Sequence, residues 1–262
     1  MSTETWGSGA NYEAYVGRWS RVIAREFIPW LAVPAAKRWL DVGCGTGALT
    51  QTILDVAAPE AVTGVDPSEG FLAHARATIT DSRARFLVGD AQALPIESES
   101  CDAIVSGLAL NFVPDTARAL AELARVARPG GTVAVYVWDY AGEMQFMRYF
   151  WDAAAAVDPH ARELDEGPRV PICHPDALER RFSEAHLRDV TTRAIDIATT
   201  FRDFDDYWTP FLGGQGAAPS YLMSLDEQQR VAIRERLRAT VPAAPDGSIA
   251  LVARVWAARG VR

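Results

Sequence analysis

The chain of 262 residues lacks several features that would decide its class at once. No apolar run approaches the ~20 residues that a membrane-spanning helix needs. The start, Met1-Ser2-Thr3-Glu4, lacks the basic-then-apolar order of a secretory signal. Cysteine is scarce: Cys44, Cys101 and Cys173 show no metal-ligand spacing, so no metal is expected and the thiols are expected to stay reduced, in the cytoplasm. Clustered cations are missing too. Net charge is −8, from 26 basic and 34 acidic residues, and no lysine/arginine stripe stands ready to displace counterions from a nucleic-acid backbone. The arginines of Arg230-Val231-Ala232-Ile233-Arg234-Glu235-Arg236-Leu237-Arg238 follow a helical pattern around a glutamate and read as a solvated helix face. Nucleic acid is therefore not expected as a partner. The remainder, 49% hydrophobic and 23% charged, is the composition of a globular protein able to bury a substantial core.

Against these absences one segment stands out. Asp41-Val42-Gly43-Cys44-Gly45-Thr46-Gly47 follows the apolar Trp39-Leu40, so a short buried strand runs into a turn with glycine at every second position and then into a helix. Such glycines let a ligand lie against bare backbone. The spacing departs from the Gly-x-Gly-x-x-Gly that seats a dinucleotide pyrophosphate. Acidic residues then close successive strands. Ala61-Val62-Thr63-Gly64-Val65 ends in Asp66-Pro67-Ser68, roughly 20 residues past the turn, where a carboxylate is placed to accept from two ribose hydroxyls. Arg85-Phe86-Leu87-Val88 ends in Gly89-Asp90-Ala91-Gln92, and an acceptor at Asp90 beside a backbone N–H at Ala91 matches the donor and acceptor edge of adenine. Cys101-Asp102-Ala103-Ile104-Val105 is a fourth strand, left through 106–111. Taken singly, Asp66 reads as a helix N-cap and Asp90 as a turn residue; their recurrence at strand ends favours a ligand site.

This series, with Arg128-Pro129-Gly130-Gly131-Thr132 before a fifth strand, resembles the class I S-adenosylmethionine-dependent methyltransferases, and within them the type 11 small-molecule group. The resemblance covers about residues 38–138. It implies S-adenosylmethionine as cofactor, S-adenosylhomocysteine as product and a small organic methyl acceptor, whether oxygen, nitrogen or carbon is methylated being left open. It implies that the turn of Asp41, Gly43, Cys44, Gly45 and Gly47 faces the methionine part, that Asp66 and Pro67 meet the ribose, that Asp90 and Ala91 meet the adenine, and that Gly107, Tyr15 and Arg18 complete the site. Leu108-Ala109-Leu110-Asn111-Phe112 differs from the Asn-Pro-Pro-Tyr type motif of amino-group DNA methyltransferases, and no Pro-Cys nucleophile pair is present. Two other readings stand beside this one: a regulatory module that holds the cofactor without turnover, and an NAD-type dehydrogenase, against which the glycine spacing speaks.

The chain-wide pattern fits a doubly wound α/β fold. Strands alternate with helices expected at 47–57, 68–79 and 115–127, giving a mostly parallel, seven-stranded Rossmann-like sheet with ligands at the strands' carboxyl ends. Thr132-Val133-Ala134-Val135-Tyr136-Val137-Trp138 is apolar throughout, as in a strand buried on both faces. Two late β-rich stretches, 187–199 and 248–256, complete the sheet, the last antiparallel by resemblance. One domain over 1–262 is expected. Residues 1–37 hold an amphipathic helix with Val22, Ile23, Phe27 and Ile28, ended by Pro29 and Pro34, and cover the cofactor. Residues 38–138 form the core. Insertions at 139–178 and 200–245 form a helical cap, the first continuing from a helix into a loop rich in proline and glycine. Their aromatics, Phe146, Phe150 and Trp151 in the first and Phe201, Phe204, Tyr207, Trp208, Phe211 and Tyr221 in the second, are candidates either for an acceptor pocket or for a satellite core, with 213–216 as a hinge candidate.

Methyl transfer from a sulfonium is an in-line displacement in which positioning supplies much of the rate, and only a hydroxyl or an acidic carbon acceptor demands a general base. His174, His160 and Asp139 are the candidate bases; His74, within a helix, and His186, at the opposite edge of the sheet, read as structural.

Overall fold

A computed structural model describes residues 17–214 and 216–262. Its first helix, α1 (Arg18–Leu31), buries Ile23, Ala24, Phe27, Ile28 and Leu31 along one face. It runs through Pro29 to Leu31 instead of stopping at the proline. Pro29 sits in the last turn, so its missing N–H and its ring disturb only the end of the helix.

The core then alternates. Strand β1 (Arg38–Val42) leads to α2 (Ala48–Val56), β2 (Ala61–Asp66) to α3 (Glu69–Thr78), and β3 (Ala84–Val88) to β4 (Cys101–Gly107). A helix α4 (Thr116–Val126) connects β4 to β5 (Ala127–Trp138). The helix starts follow from side-chain chemistry: Ser68 Oγ accepts from Phe71 N at 3.3 Å and Asp115 from Arg118 N at 2.9 Å. Helix α4 turns Ala119, Leu120, Leu123 and Val126 onto the sheet, the spacing of a one-sided helix. Strand β5 starts earlier than its apolar run suggests, because Ala127 already pairs with Cys101 before a register shift between Cys101 and Ala103. Residues 128–131 are thus the irregular beginning of the strand.

The second half comprises α5 (Gln145–Val157), α6 (Glu166–Arg169), α7 (Pro175–Glu184), β6 (Arg188–Phe201), α8 (Phe204–Trp208), α9 (Ala217–Ser224), α10 (Glu227–Thr240) and β7 (Ile249–Val261). The stretch after α5 is not an open loop: it is broken into short helical turns at Pro159–Glu163, Glu166–Arg169 and Pro171–Cys173. Helix α10 opens on a capping box between Asp226 and Gln229. The seven strands form one sheet in the order β3-β2-β1-β4-β5-β7-β6. Strands β3 to β5 pair in parallel and β7 runs antiparallel to β5. The order reverses between β1 and β4, the switch point beside which open α/β sheets bind ligands.

Two compact units make up the described chain. The first contains Trp19–Trp138, Ile172–Ile195 and Val255–Arg262; the second contains Arg18, Asp139–Pro171 and Asp196–Arg254. The second has an aromatic core of its own. Phe211 stacks on Phe146 and Phe150 with centroids 4.5 Å apart in each pair, and Phe201 and Tyr207 pack on Phe146 at 5.4 and 5.3 Å. The polar ends find partners: Tyr207 donates to Phe146 O at 3.0 Å, Trp151 Nε1 to Glu166 at 2.6 Å and Tyr221 to Asp158 at 3.1 Å. Phe146, Phe150, Trp151, Phe201, Tyr207, Phe211 and Tyr221 are all buried. These rings pack on one another as a core of the second unit.

Candidate functional site

Strand β1 ends in a tightly tied turn. Gly43 N and Cys44 N both donate to Val65 O, at 2.7 and 3.1 Å, and Gly47 N donates to Cys44 O at 2.8 Å. Gly43 has φ +74, and a Cβ there would collide with the Cβ of Ala109, so only glycine lets the two segments touch. The Gly45 position is open, with nothing within 4 Å of where a Cβ would be. That is a bare backbone surface facing free space, the property a glycine turn needs to seat a ligand. Cys44 is buried in this turn; burial above all, and then the charges of Asp41 and Asp66, push its thiol far up and leave it unreactive.

Two acids stand behind the turn. Asp41 is 1% exposed. Its Oδ2 accepts from Thr50 Oγ1 at 2.7 Å, while its Oδ1 is buried with no hydrogen-bond partner among the described residues. Burial pushes its pKa up to about 7, with the Thr50 bond pulling down and the charge of Asp66 pushing up. A cationic ligand group is what would satisfy such an oxygen. Asp66, at the end of β2, is 7% exposed. Its Oδ2 accepts from Gly45 N and its Oδ1 from Ser68 N, both at 2.9 Å. Burial raises its pKa in spite of these two bonds. A carboxylate has about four lone-pair sites, so two remain for hydroxyl donors. The N-cap of α3 is Ser68, which frees Asp66 from that role.

Asp90 is exposed, and its carboxylate accepts from Gln92 N at 2.8 Å and from Gln92 Nε2 at 3.1 Å. These bonds, the backbone one first, hold its pKa down. Pro67, which follows Asp66, is exposed, and Ala91, which follows Asp90, is half-buried. Gly107, the last residue of β4, is glycine because of Tyr136: a Cβ there would strike the buried phenol. The turn of Gly43, Cys44, Gly45 and Gly47, the acids Asp41, Asp66 and Asp90, and Gly107 all belong to the first unit.

The remaining expected site residues fare differently. Tyr15 lies outside the described residues. Arg18 points to Asp206 at 3.4 Å and over the Phe201 ring at 4.7 Å, a contact within the second unit. His160 is 87% exposed and faces Glu163 at 3.8 Å. His174 is exposed at the N-cap of α7, while its neighbour Cys173 is buried, so the pair point apart. Asp139 is a turn residue whose oxygens accept from Gly142 N and Glu143 N, each at 3.0 Å. Among the described residues no group of His, Cys, Asp and Glu could hold a metal, and no helix is long and apolar enough to cross a membrane.

Sequence reasoning missed two features. Thr50 as the partner of Asp41 sits nine positions away across a turn, and no spacing rule predicts that pairing. Asn111 carries a second buried side-chain oxygen without a partner among the described residues, and only the three-dimensional fold could show it.

Comparison with known proteins agrees with this geometry. A family model described as a methyltransferase domain matches residues 40–135. A demethylmenaquinone methyltransferase of Roseiflexus castenholzii is 34% identical over 177 residues, covering 63% of this chain and 74% of that protein. An uncharacterized methyltransferase of Mycobacterium bovis is 40% identical over 114 residues, and the match spans 44% of each chain. Among solved structures, phosphoethanolamine N-methyltransferase 2 of Haemonchus contortus, in complex with phosphomonomethylethanolamine and S-adenosylhomocysteine, superposes with a TM-score of 0.59 at 16% identity, over 96% of this chain and 56% of that one. The last similarity is one of fold.

Proposed function

This chain belongs to the class I S-adenosylmethionine-dependent methyltransferases, and from that premise we propose that its acceptor is a small electron-rich aromatic of the hydroquinone type, methylated at a ring carbon. The enzyme class and the cofactor follow from the family, and the dehydrogenase reading falls with them. The acceptor rests on one observation above all: the relative of Roseiflexus castenholzii, 34% identical over 177 residues, is named as a demethylmenaquinone methyltransferase. A hydroquinone ring is nucleophilic at carbon, and the proton of the methylated carbon leaves to water once the new carbon–carbon bond has formed.

When bound, S-adenosylmethionine supplies a methyl group activated by the positive charge on its sulfur. The chain's own residues hold and orient. We assign the unpaired Oδ1 of Asp41 to the cofactor's ammonium, the spare lone pairs of Asp66 to the ribose with Pro67 beside it, Asp90 and the Ala91 N–H to the adenine, and the turn of Gly43, Cys44, Gly45 and Gly47 with Gly107 to the methionine part. Tyr15 keeps its proposed place in the site. Arg18, engaged with Asp206, orders the second unit in this reading. Residues of the two insertions supply acceptor selectivity.

A nucleic-acid acceptor is disfavoured because three of the four arginines of α10 have partners within the protein: Arg230 pairs with Glu227, Arg234 with Asp205, and Arg238 lies over Phe204. The three cysteines, all buried and none of them in a disulfide among the described residues, suit a reducing compartment such as the cytoplasm. Anaerobic incubation with S-adenosylmethionine and 1,4-dihydroxynaphthalene tests the proposal. A product methylated on carbon, located by NMR, is expected. Methylation confined to amines or to nucleic acid would overturn it.

A further inference from the structure

Beyond Gly107 the backbone does something unusual. Leu108 has φ +58, a region that residues other than glycine seldom enter. Its N–H donates to Tyr136 O at 2.8 Å, which fixes the bend. The next residue, Ala109, lies against Gly43, and the chain continues as a single 3-10 turn, Leu110–Phe112. The strained residue thus delivers this turn onto the glycine turn, at the carboxyl end of β4 beside the switch point, where ligands enter open α/β sheets.

Asn111 is the middle residue of the 3-10 turn. Its Oδ1 is closed off from solvent and accepts no hydrogen bond from any described residue. An unpaired buried amide oxygen costs stability that a leucine of similar volume would not. A polar oxygen held without a partner among the described residues, at the end of the sheet where ligands enter, is what a hydrogen-bond donor on a bound molecule would satisfy.

We propose that Asn111 recognises the methyl acceptor: its Oδ1 accepts a hydrogen bond from a ring hydroxyl and so orients the adjacent ring carbon. This inference rests on the hydroquinone reading above. No bond is made or broken by Asn111; its role is recognition and alignment.

The test is calorimetric titration, under anaerobic conditions and with S-adenosylhomocysteine saturating, of 1,4-dihydroxynaphthalene and of its dimethyl ether into wild type, Asn111→Leu and Asn111→Ala. The diol is expected to bind wild type about tenfold more tightly than the ether, and both variants to lose that difference through weaker diol binding. S-Adenosylhomocysteine affinity should stay within about twofold, and the melting temperature of Asn111→Leu should equal or exceed that of wild type. Undiminished diol binding by the variants overturns the inference while leaving the hydroquinone reading intact. A fall of about tenfold in S-adenosylhomocysteine affinity overturns it by giving the amide to the cofactor. A loss of several degrees in both variants overturns it by showing a structural partner. Failure of the diol to bind wild type removes the hydroquinone reading and this inference with it.

Discussion

Gly45 donates its backbone N–H to Asp66 at 2.9 Å, so the glycine turn after β1 and the acid that ends β2 are mechanically one object. Whatever disturbs the carboxylate also loosens the turn. Asp66 is therefore a brace for the turn as well as the proposed acceptor of the ribose hydroxyls.

Replacing Asp66 with alanine removes acceptors for two hydroxyl donors and frees Gly45 N and Ser68 N. Hydrogen bonds to a charged group contribute about 1.5–3 kcal/mol. S-Adenosylhomocysteine affinity should fall by about 10- to 100-fold, measured by calorimetry. Asp66→Asn, which keeps one acceptor oxygen, should lose less. Equal affinity in wild type and Asp66→Ala would remove the ribose role.

Gly107→Ala puts a methyl group into the Tyr136 phenol. Overpacking of this kind costs about 1–3 kcal/mol, and thermal unfolding should move down by several degrees. Adding Tyr136→Phe removes the nearest atom, so the double variant should recover part of the loss. Full additivity of the two changes would show that the close approach does not matter.

Asp41 gives the protein a pH dependence of definite sign. Its folded-state pKa is about 7 against an ordinary 3.8, so from about pH 4 to pH 7 the unfolded chain has released a proton that the folded chain retains. The contribution of Asp41 to stability therefore falls as pH rises through that window and is constant on either side of it. Asp66, also raised, adds in the same direction. Urea titrations at about pH 5 and pH 8 should show wild type losing more stability than Asp41→Asn. A matching loss in both proteins would mean that Asp41 ionises normally.

The second unit should respond to Phe211 as a core residue. Its ring stacks on both Phe146 and Phe150, and Phe→Ala at such a site costs about 3–5 kcal/mol. Phe211→Ala should lower the urea midpoint markedly. S-Adenosylhomocysteine affinity measured below the transition should change little, since Asp41, Asp66, Asp90 and the turn of Gly43 to Gly47 lie in the other unit. Unchanged stability would argue against a packed core.

Much of the first unit was legible because local chemistry and tertiary structure agree there. Strands β1 to β4 fall within two residues of their expected ends, since their apolar runs stop at glycine, aspartate or serine. Helix starts at Ser68 and Asp115 carry their own signals. Strand β5 was legible only in its apolar half; Ala127 joins the sheet through Cys101, a partner that no local pattern announces. The aromatics of the insertions were ambiguous for a deeper reason. A ring that lines a pocket and a ring that fills a core have the same sequence signature, and only the neighbours supplied by distant segments, Phe211 against Phe146 for example, decide between them. Orphaned oxygens such as those of Asp41 and Asn111 are invisible in sequence because an orphan is defined by what fails to arrive.

The strand order has a consequence for how the chain is made. β7 lies between β5 and β6, yet it is synthesised after both. When β6 leaves the ribosome its sheet neighbour does not exist, and helices α8, α9 and α10 must be translated before that neighbour follows. At about 5–20 residues per second, β6 waits seconds as an unpaired edge. Its outward Arg188, Asp189, Arg193 and Asp196 are the kind of charges that keep a waiting edge from pairing with the wrong chain. Sheet closure is thus a late, long-range event, and a translational pause within α10 would lengthen the interval in which β6 has no partner on that side.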